Sequence, residues 1–293
     1  MNRPNDHQPL TLREALDAGT FVQAPGIYDA LGARMAEHHG FPAVYMSGLG
    51  VTASLLARPD LELLGMEEMV RQARLIVTAV QIPVIADADT GYGGLANVQR
   101  TTLAYAQAGV AAMHLEDQAS PKRCGHLGRA RLISEQQMLA KLRLAVETRG
   151  DTDLLIIGRT DAFKVSGLDE AIRRATRYAE AGVDLLFVDG ITERDDFRRV
   201  RDAVEGPLLG SIVEIDAPAQ TTASQLEEMG YAMAIFALSG ILAAAGALDR
   251  LMAGISADGD SDGSFESMMT YTELNDRIGI QGYHELWNRF SND

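Results

Sequence analysis

Leu154-Leu155-Ile156-Ile157-Gly158-Arg159-Thr160-Asp161 is followed by residues 168–181 and then by Gly182-Val183-Asp184-Leu185-Leu186-Phe187-Val188-Asp189. The two apolar runs are short and β-rich, while the stretch between them spaces its apolar residues as an amphipathic helix does. That helix stops at Gly182, a residue that turns a helix C-terminus into the next strand. Each run ends on charge, Arg159 and Asp161 in one case and Asp189 in the other.

The same unit recurs outward in both directions. Further apolar runs lie at 21–24, 43–46, 84–87, 111–116, 208–212 and 233–237, with helical spacing at 66–80, 95–108, 135–149 and 195–204. Eight runs, each followed by a helix-length segment, predict a parallel sheet closed into an α/β fold of the (β/α)8 TIM-barrel type. An open doubly wound sheet is the alternative. It is weakened by the lack of a Gly-x-Gly-x-x-Gly turn after the first strand. The barrel is expected over residues 1–254, a polar linker over 255–264, and a C-terminal helical extension over 265–293 with helices at 265–276 and 283–291. Such a tail packs on its own barrel or on a neighbouring subunit.

Composition restricts the partners. At 46% hydrophobic and 23% charged, the chain has the make-up of a globular protein. No apolar run is expected to span a bilayer, and the polar start Met1-Asn2-Arg3-Pro4-Asn5-Asp6-His7 does not read as a signal peptide. A soluble, cytoplasmic product is the expectation. With 41 acidic against 26 basic side chains, the net charge of −15 argues against nucleic acid and anionic membrane surfaces. An anionic substrate must therefore be held by local cations. The single cysteine, Cys124, excludes an intrachain disulfide and a cysteine-based zinc cluster. Only Lys122, Lys141 and Lys164 could carry Schiff-base chemistry.

In barrel enzymes the active site lies at the C-terminal ends of the strands. Here those ends read Tyr45-Met46-Ser47-Gly48, Asp87-Ala88-Asp89, Glu116-Asp117, Arg159-Thr160-Asp161, Asp189, and Ser211 running to Glu214. Carboxylates converge from at least four strands with one arginine among them. Asp87 and Asp89 are two apart and share a face if the strand continues through them. Two carboxylates that close need a cation or a shared proton, and Mg²⁺ suits an open site shared with substrate. The alternative is an Asx-turn leading into the glycine loop Gly91-Tyr92-Gly93-Gly94.

Three neighbouring residues keep two roles open. Asp60 either joins the cluster or is a capping or solvated aspartate. Glu116 extends the metal's shell or pairs with Lys122. Arg159 either forks onto a substrate carboxylate or forms a buried ion pair with Asp161 or Glu116. In Pro121-Lys122-Arg123-Cys124-Gly125-His126, a thiol flanked by two cations and a histidine is expected to have a lowered pKa. The alternative there is a solvated basic loop with an incidental cysteine.

These stretches, from Tyr45-Met46-Ser47-Gly48 through Asp87-Ala88-Asp89-Thr90-Gly91-Tyr92-Gly93, Glu116-Asp117-Gln118 and Lys122-Arg123-Cys124-Gly125-His126 to Arg159-Thr160-Asp161, resemble the isocitrate lyase/phosphoenolpyruvate mutase superfamily. The likeness covers about residues 21–248, and the thiol loop is typical of its carbon–carbon lyase branch, that of the methylisocitrate and 2,3-dimethylmalate lyases. The resemblance implies Asp87 as direct ligand of Mg²⁺ (with Mn²⁺ as substitute), and Asp60, Asp89 and Glu116 holding its waters. It implies that the amides of Ser47 and Gly48, with Arg159, bind the 2-oxo acid half. Cys124 becomes the acid for the departing carbon, within the Lys122–His126 loop, and Tyr45 the base for the hydroxyl. It further implies a homotetramer built from helix-exchanged dimers.

Leu127-Gly128-Arg129-Ala130 departs from the Arg-Pro-Asn-Lys segment of methylisocitrate lyases. Asp189, Ser211 and Ala237 stand where glutamate, asparagine and proline are common. The walls facing the second half of the substrate are therefore reshaped. 2-Methylisocitrate is the leading expectation, followed by a 2,3-dimethylmalate-like acid and by oxaloacetate hydrolysis. Rivals from other classes are a carboxyphosphonoenolpyruvate-type phosphonomutase, a Schiff-base aldolase using Lys122 or Lys164, and a non-catalytic barrel.

Overall fold

The computed structural model describes residues 10–123 and 130–291, and within them the eight expected strands form one closed barrel. They are β1 (Val22–Ile27), β2 (Val44–Met46), β3 (Val84–Asp87), β4 (Ala112–Glu116), β5 (Leu155–Thr160), β6 (Leu185–Val188), β7 (Leu208–Ile212) and β8 (Met233–Phe236). All pair in parallel in chain order, and β1 closes on β8. Strand β1 continues three residues past the expected run. Pairing with β8 from Val22 opposite Met233 to Pro25 opposite Phe236 carries it across a proline that breaks the apolar pattern.

Helices α1 (Leu12–Asp17), α2 (Ala30–His38), α3 (Gly48–Leu56), α4 (Met66–Ala79), α5 (Leu95–Ala108), α6 (Glu135–Arg149) and α7 (Ala162–Ser166) fill the first half. They are followed by α8 (Leu168–Ala179), α9 (Arg194–Ala203), α10 (Ala223–Glu228) and α11 (Ser239–Asp258). The alternation of side chains along each strand sorts the core into two clusters. Outward residues such as Met113, Leu115 and Ile156 pack against Tyr105 of α5, Leu142 of α6 and Tyr178 of α8. Inward residues such as Ile85, Ala112, Leu155, Ile157 and Leu185 fill the barrel, joined by Leu12 and Ala15 of α1.

Two expectations about the C-terminal part need correction. The linker expected over 255–264 is shorter, because α11 runs through to Asp258 before a 3-10 turn at Asp262–Ser267. The tail helices are α12 (Tyr271–Arg277) and α13 (Ile280–Phe290). Helix α11 is also long and apolar enough to cross a membrane by length and composition, with mean hydropathy 1.3, and none of it is buried within the chain. Its alanines, glycines and the pair Asp249-Arg250 disguise that run in the sequence.

Candidate active site

Going up the inward columns of the barrel, side chains change from apolar to polar at the C-terminal ends. On β4 the column reads Ala112, His114, Glu116, on β5 Leu155, Ile157, Arg159, and on β3 Ile85 is followed by Asp87. Strand register sets these tops side by side: Asp87 is level with His114, Glu116 with Arg159, and Arg159 with Phe187.

Asp87 is buried and committed at both oxygens. Its Oδ1 accepts from the Asp89 backbone N–H at 2.9 Å, and its Oδ2 from that of Gly48 at 3.3 Å. Asp89 itself sits at φ +47°, a left-handed conformation that aspartate tolerates better than most residues. The Asx-turn is therefore present, and it is what folds Asp89 back over the barrel mouth. A Cβ on Gly48 would come within 2.5 Å of Asp87 Oδ2, so only glycine leaves that carboxylate its place.

Asp60 is buried, which removes the solvated alternative. Its Oδ2 accepts from Lys122 Nζ at 2.7 Å, and Lys122 Nζ also lies 2.7 Å from Asp89 Oδ1. The second approach is an ion contact without hydrogen-bond geometry, since Asp89 Oδ1 has no directed donor. Lys122 thus pairs with Asp60 and Asp89, not with Glu116. Burial works against its charge, but Asp89, Glu116, Asp87 and Asp60 outweigh that and raise its pKa well above the usual lysine value. An ammonium held so firmly is a poor Schiff-base nucleophile.

His114 belongs to the site although its role was not anticipated. It is fully buried, and its Nε2 lies 2.9 Å from the Tyr45 hydroxyl and 3.7 Å from Asp87 Oδ1. Burial pushes its pKa down to about 4, so the imidazole is neutral at pH 7. Tyr45 is raised well above the ordinary phenol value, first by burial and then by Asp87, and stays protonated. Parity marks His114 in the sequence: it lies two residues before Glu116 and so shares its inward face.

Of the two roles left open for Arg159, the structure shows the buried ion pair. Its Nε and Nη2 donate to Asp161 at 2.7 and 3.1 Å, Nη2 also donates to Asp189 at 2.8 Å, and Nη1 lies 3.3 Å from Glu116 Oε2. Its guanidinium stands 5.3 Å over the Phe187 ring. Asp117 points the other way, through the barrel wall. It accepts from Thr160, Tyr178 and Arg174 and serves as a structural pin to α8.

The cluster fits a cation. Asp87, His114 and Glu116 offer ligand atoms within 4.8 Å of one another. Neither oxygen of fully buried Glu116 has a hydrogen-bond partner, a cost that a coordinated ion would remove. Burial raises Glu116 well above the carboxylate range and Asp89 to about 7, so metal-free carboxylates hold protons that a cation would replace. Asp87 alone is held down, to about 2: burial opposes its charge, but His114, Lys122 and Arg159 more than offset that.

A pocket opens beside the cluster. Tyr45, Ser47, Asp87, Arg159, Asp189 and Ser211 line its polar side, and Leu49, Val213, Ile235, Ala237 and Leu238 its apolar side. Ser47 reaches it, but its backbone N–H is spent on the Ile27 carbonyl at 3.0 Å, and its hydroxyl caps α3. The hydroxyl rather than the amide is what Ser47 can turn to a ligand. Cys124, Gly125 and His126, with Leu127 to Arg129, lie outside the described residues.

A closed parallel barrel that gathers buried carboxylates, a histidine and an arginine around a pocket at its C-terminal face defines an enzyme acting on a small molecule. The family model for phosphoenolpyruvate phosphomutase matches residues 12–256. The 2,3-dimethylmalate lyase of Eubacterium barkeri is 39% identical over 280 residues, covering 96% of this chain and 97% of the relative. The 2-methylisocitrate lyase of Aeropyrum pernix is 38% identical over 282 residues, covering 96% and 91%. A solved oxaloacetate acetylhydrolase in complex with the inhibitor 3,3-difluorooxalacetate superposes with a TM-score of 0.90 at 33% identity, over 97% of each chain. The chain belongs to the phosphoenolpyruvate mutase/isocitrate lyase superfamily, and these relatives place it among the carbon–carbon lyases of that group.

Proposed function

We propose that the chain cleaves the C2–C3 bond of a 2-hydroxy di- or tricarboxylate, releasing a 2-oxo acid such as pyruvate and a second carboxylate. The observation that carries this is the pairing, across one pocket, of a buried arginine with a tyrosine–histidine couple beside the carboxylate cluster. Arg159 would bind a substrate carboxylate through the Nη1 that now faces Glu116. The hydroxyl proton would pass to Tyr45 as the phenol hands its own to His114 Nε2, 2.9 Å away. As C2–O becomes a carbonyl, the bond pair moves to C3 and is protonated there, the role that the resemblance gives to Cys124. Asp87, with Glu116 beside it and Asp60 and Asp89 further out, would hold a divalent cation. When bound, Mg²⁺ would supply Lewis-acid stabilisation of the oxygen charge, with Mn²⁺ as a substitute.

Among the described lining residues Arg159 is the only cation, and the facing wall is apolar. This supports an alkyl-substituted malate, of the 2,3-dimethylmalate kind, ahead of the 2-methylisocitrate expected from the sequence. The test is a panel of malate and isocitrate derivatives with Mg²⁺, following pyruvate, glyoxylate and oxalate separately. Pyruvate formation that EDTA abolishes and Mg²⁺ restores is the expected result. Turnover that survives EDTA and is trapped by borohydride would replace this mechanism with a Schiff base. Cys124→Ser should lower cleavage by about a hundredfold or more while oxo-acid binding persists.

We also propose that the protein is a cytoplasmic homotetramer in which the C-terminal helices are exchanged within dimers. Helix α11 buries none of its residues, and Phe265, Tyr271, Trp287 and Phe290 beyond it are exposed. An apolar surface of that extent in a chain with this net charge suits a second copy. Sedimentation velocity should show a tetramer, and a monomer at micromolar concentration would remove the proposal.

A further inference from the structure

Glu62 lies in the loop between α3 and α4, within the segment that follows β2, two residues beyond Asp60, at φ +58°. A non-glycine residue pays for that backbone conformation, so its side chain has to return something. Both carboxylate oxygens are used. Oε1 accepts from the Thr90 hydroxyl at 2.8 Å, and Oε2 accepts from the Ser120 hydroxyl at 2.6 Å and from the Lys122 backbone N–H at 2.9 Å. Thr90 follows β3 and Ser120 to Lys122 follow β4, so one half-buried side chain ties three successive loops of the barrel mouth together. Thr90 is itself fixed from below, where its carbonyl accepts from Lys141 Nζ of α6 at 2.7 Å.

The consequence falls on Lys122. Its main chain is held by Glu62 and its ammonium reaches Asp60 and Asp89, both at 2.7 Å. A lysine side chain has four rotatable bonds and does not choose such a position unless its backbone is fixed. We propose that Glu62 is a positioning residue, which latches the loop after β4 to the loops after β2 and β3 and thereby sets the Lys122 ammonium against the carboxylate cluster. This rests on the lyase reading of the site only for the effect on turnover; the latch itself is a matter of loop geometry.

The test separates backbone from side chain. Glu62→Gly relieves the left-handed backbone, which offsets part of the loss of the carboxylate's hydrogen bonds, so the barrel should remain folded with a modestly lower thermal midpoint. It should nevertheless lose protection of the Lys122 amide in hydrogen exchange, and kcat/KM should fall by about tenfold or more as the competent arrangement becomes a minor population. Glu62→Gln keeps one oxygen for Ser120 and Lys122, and Thr90 can rotate its hydroxyl to accept from the amide. It should recover most of both losses. Parent-like exchange at Lys122 in Glu62→Gly would overturn the latch. Faster exchange with unchanged kcat/KM would overturn its positioning role. Exchange needs no substrate, so a parent protein that turns over no acid in the panel, with exchange still accelerated in Glu62→Gly, would fail the lyase proposal and not the latch.

Discussion

Asp87→Asn is expected to lower kcat/KM by about a thousandfold, with the barrel folded and its thermal midpoint within a few degrees of the parent. The substitution is nearly isosteric, and an asparagine carbonyl can keep the 2.9 Å bond from the Asp89 N–H. The loss comes from charge. Asp87 is the carboxylate of the cluster whose pKa is held down, to about 2, and it sits level with His114 across the β3–β4 pairing. Its amide nitrogen would also meet the Gly48 N–H as donor against donor, where Oδ2 now accepts at 3.3 Å. Removing a single preorganised electrostatic group from a closed site costs about 10² to 10³ in rate, and loss of a bound cation adds to that. Calorimetric titration with Mg²⁺ or Mn²⁺ alongside the rate measurement shows whether cation binding disappears in parallel. Undiminished turnover with intact cation affinity would remove Asp87 from the centre of the site.

The strand ends made most of this site legible, and strand parity explains both the success and the omission. Short apolar runs that end in charge are easily seen, and Asp87, Asp89, Glu116 and Arg159 all stand at such ends. His114 hides inside a run, between Met113 and Leu115, where a lone histidine resembles a satisfied core residue. Only the step of two from Glu116 places it on the inner face. The partner of Lys122 was not legible at all. It depends on a loop that brings Asp60 from 62 positions away, a separation that neither periodicity nor spacing encodes. Helix α11 went unrecognised as an exposed apolar element for a different reason. None of its residues is buried in this chain, so it carries no buried stripe of the kind by which the outer helices are read.

Arg159→Met is expected to have the largest effect on stability. Arg159 is the cation shared by Glu116, Asp161 and Asp189, with no other basic side chain among its described hydrogen-bonding neighbours. Truncating one partner of a buried charge network costs about 3–5 kcal/mol, because the carboxyl groups that remain buried lose their shared counter-charge. In a chain of this size that corresponds to a fall in thermal midpoint of roughly ten degrees. The pH dependence identifies the cause. Burial already raises the pKa of Asp161, with Arg159 opposing it, and burial raises Glu116 well above the usual range against the same arginine. Without the guanidinium both rise further, so the folded variant binds protons that the unfolded chain does not bind above the ordinary carboxylate range. A carboxyl raised in this way destabilises the fold progressively as pH increases through that interval, and the penalty fades when the unfolded chain is protonated too. The gap between variant and parent should therefore be smaller at pH 5 than at pH 8. Arg159→Lys, which keeps the charge but not the fork onto Asp161, should recover much of the midpoint and little of the turnover, since carboxylate recognition through two parallel bonds is lost. A gap as large at pH 5 as at pH 8 would mean that Arg159 stabilises the barrel through its packing on Phe187 instead.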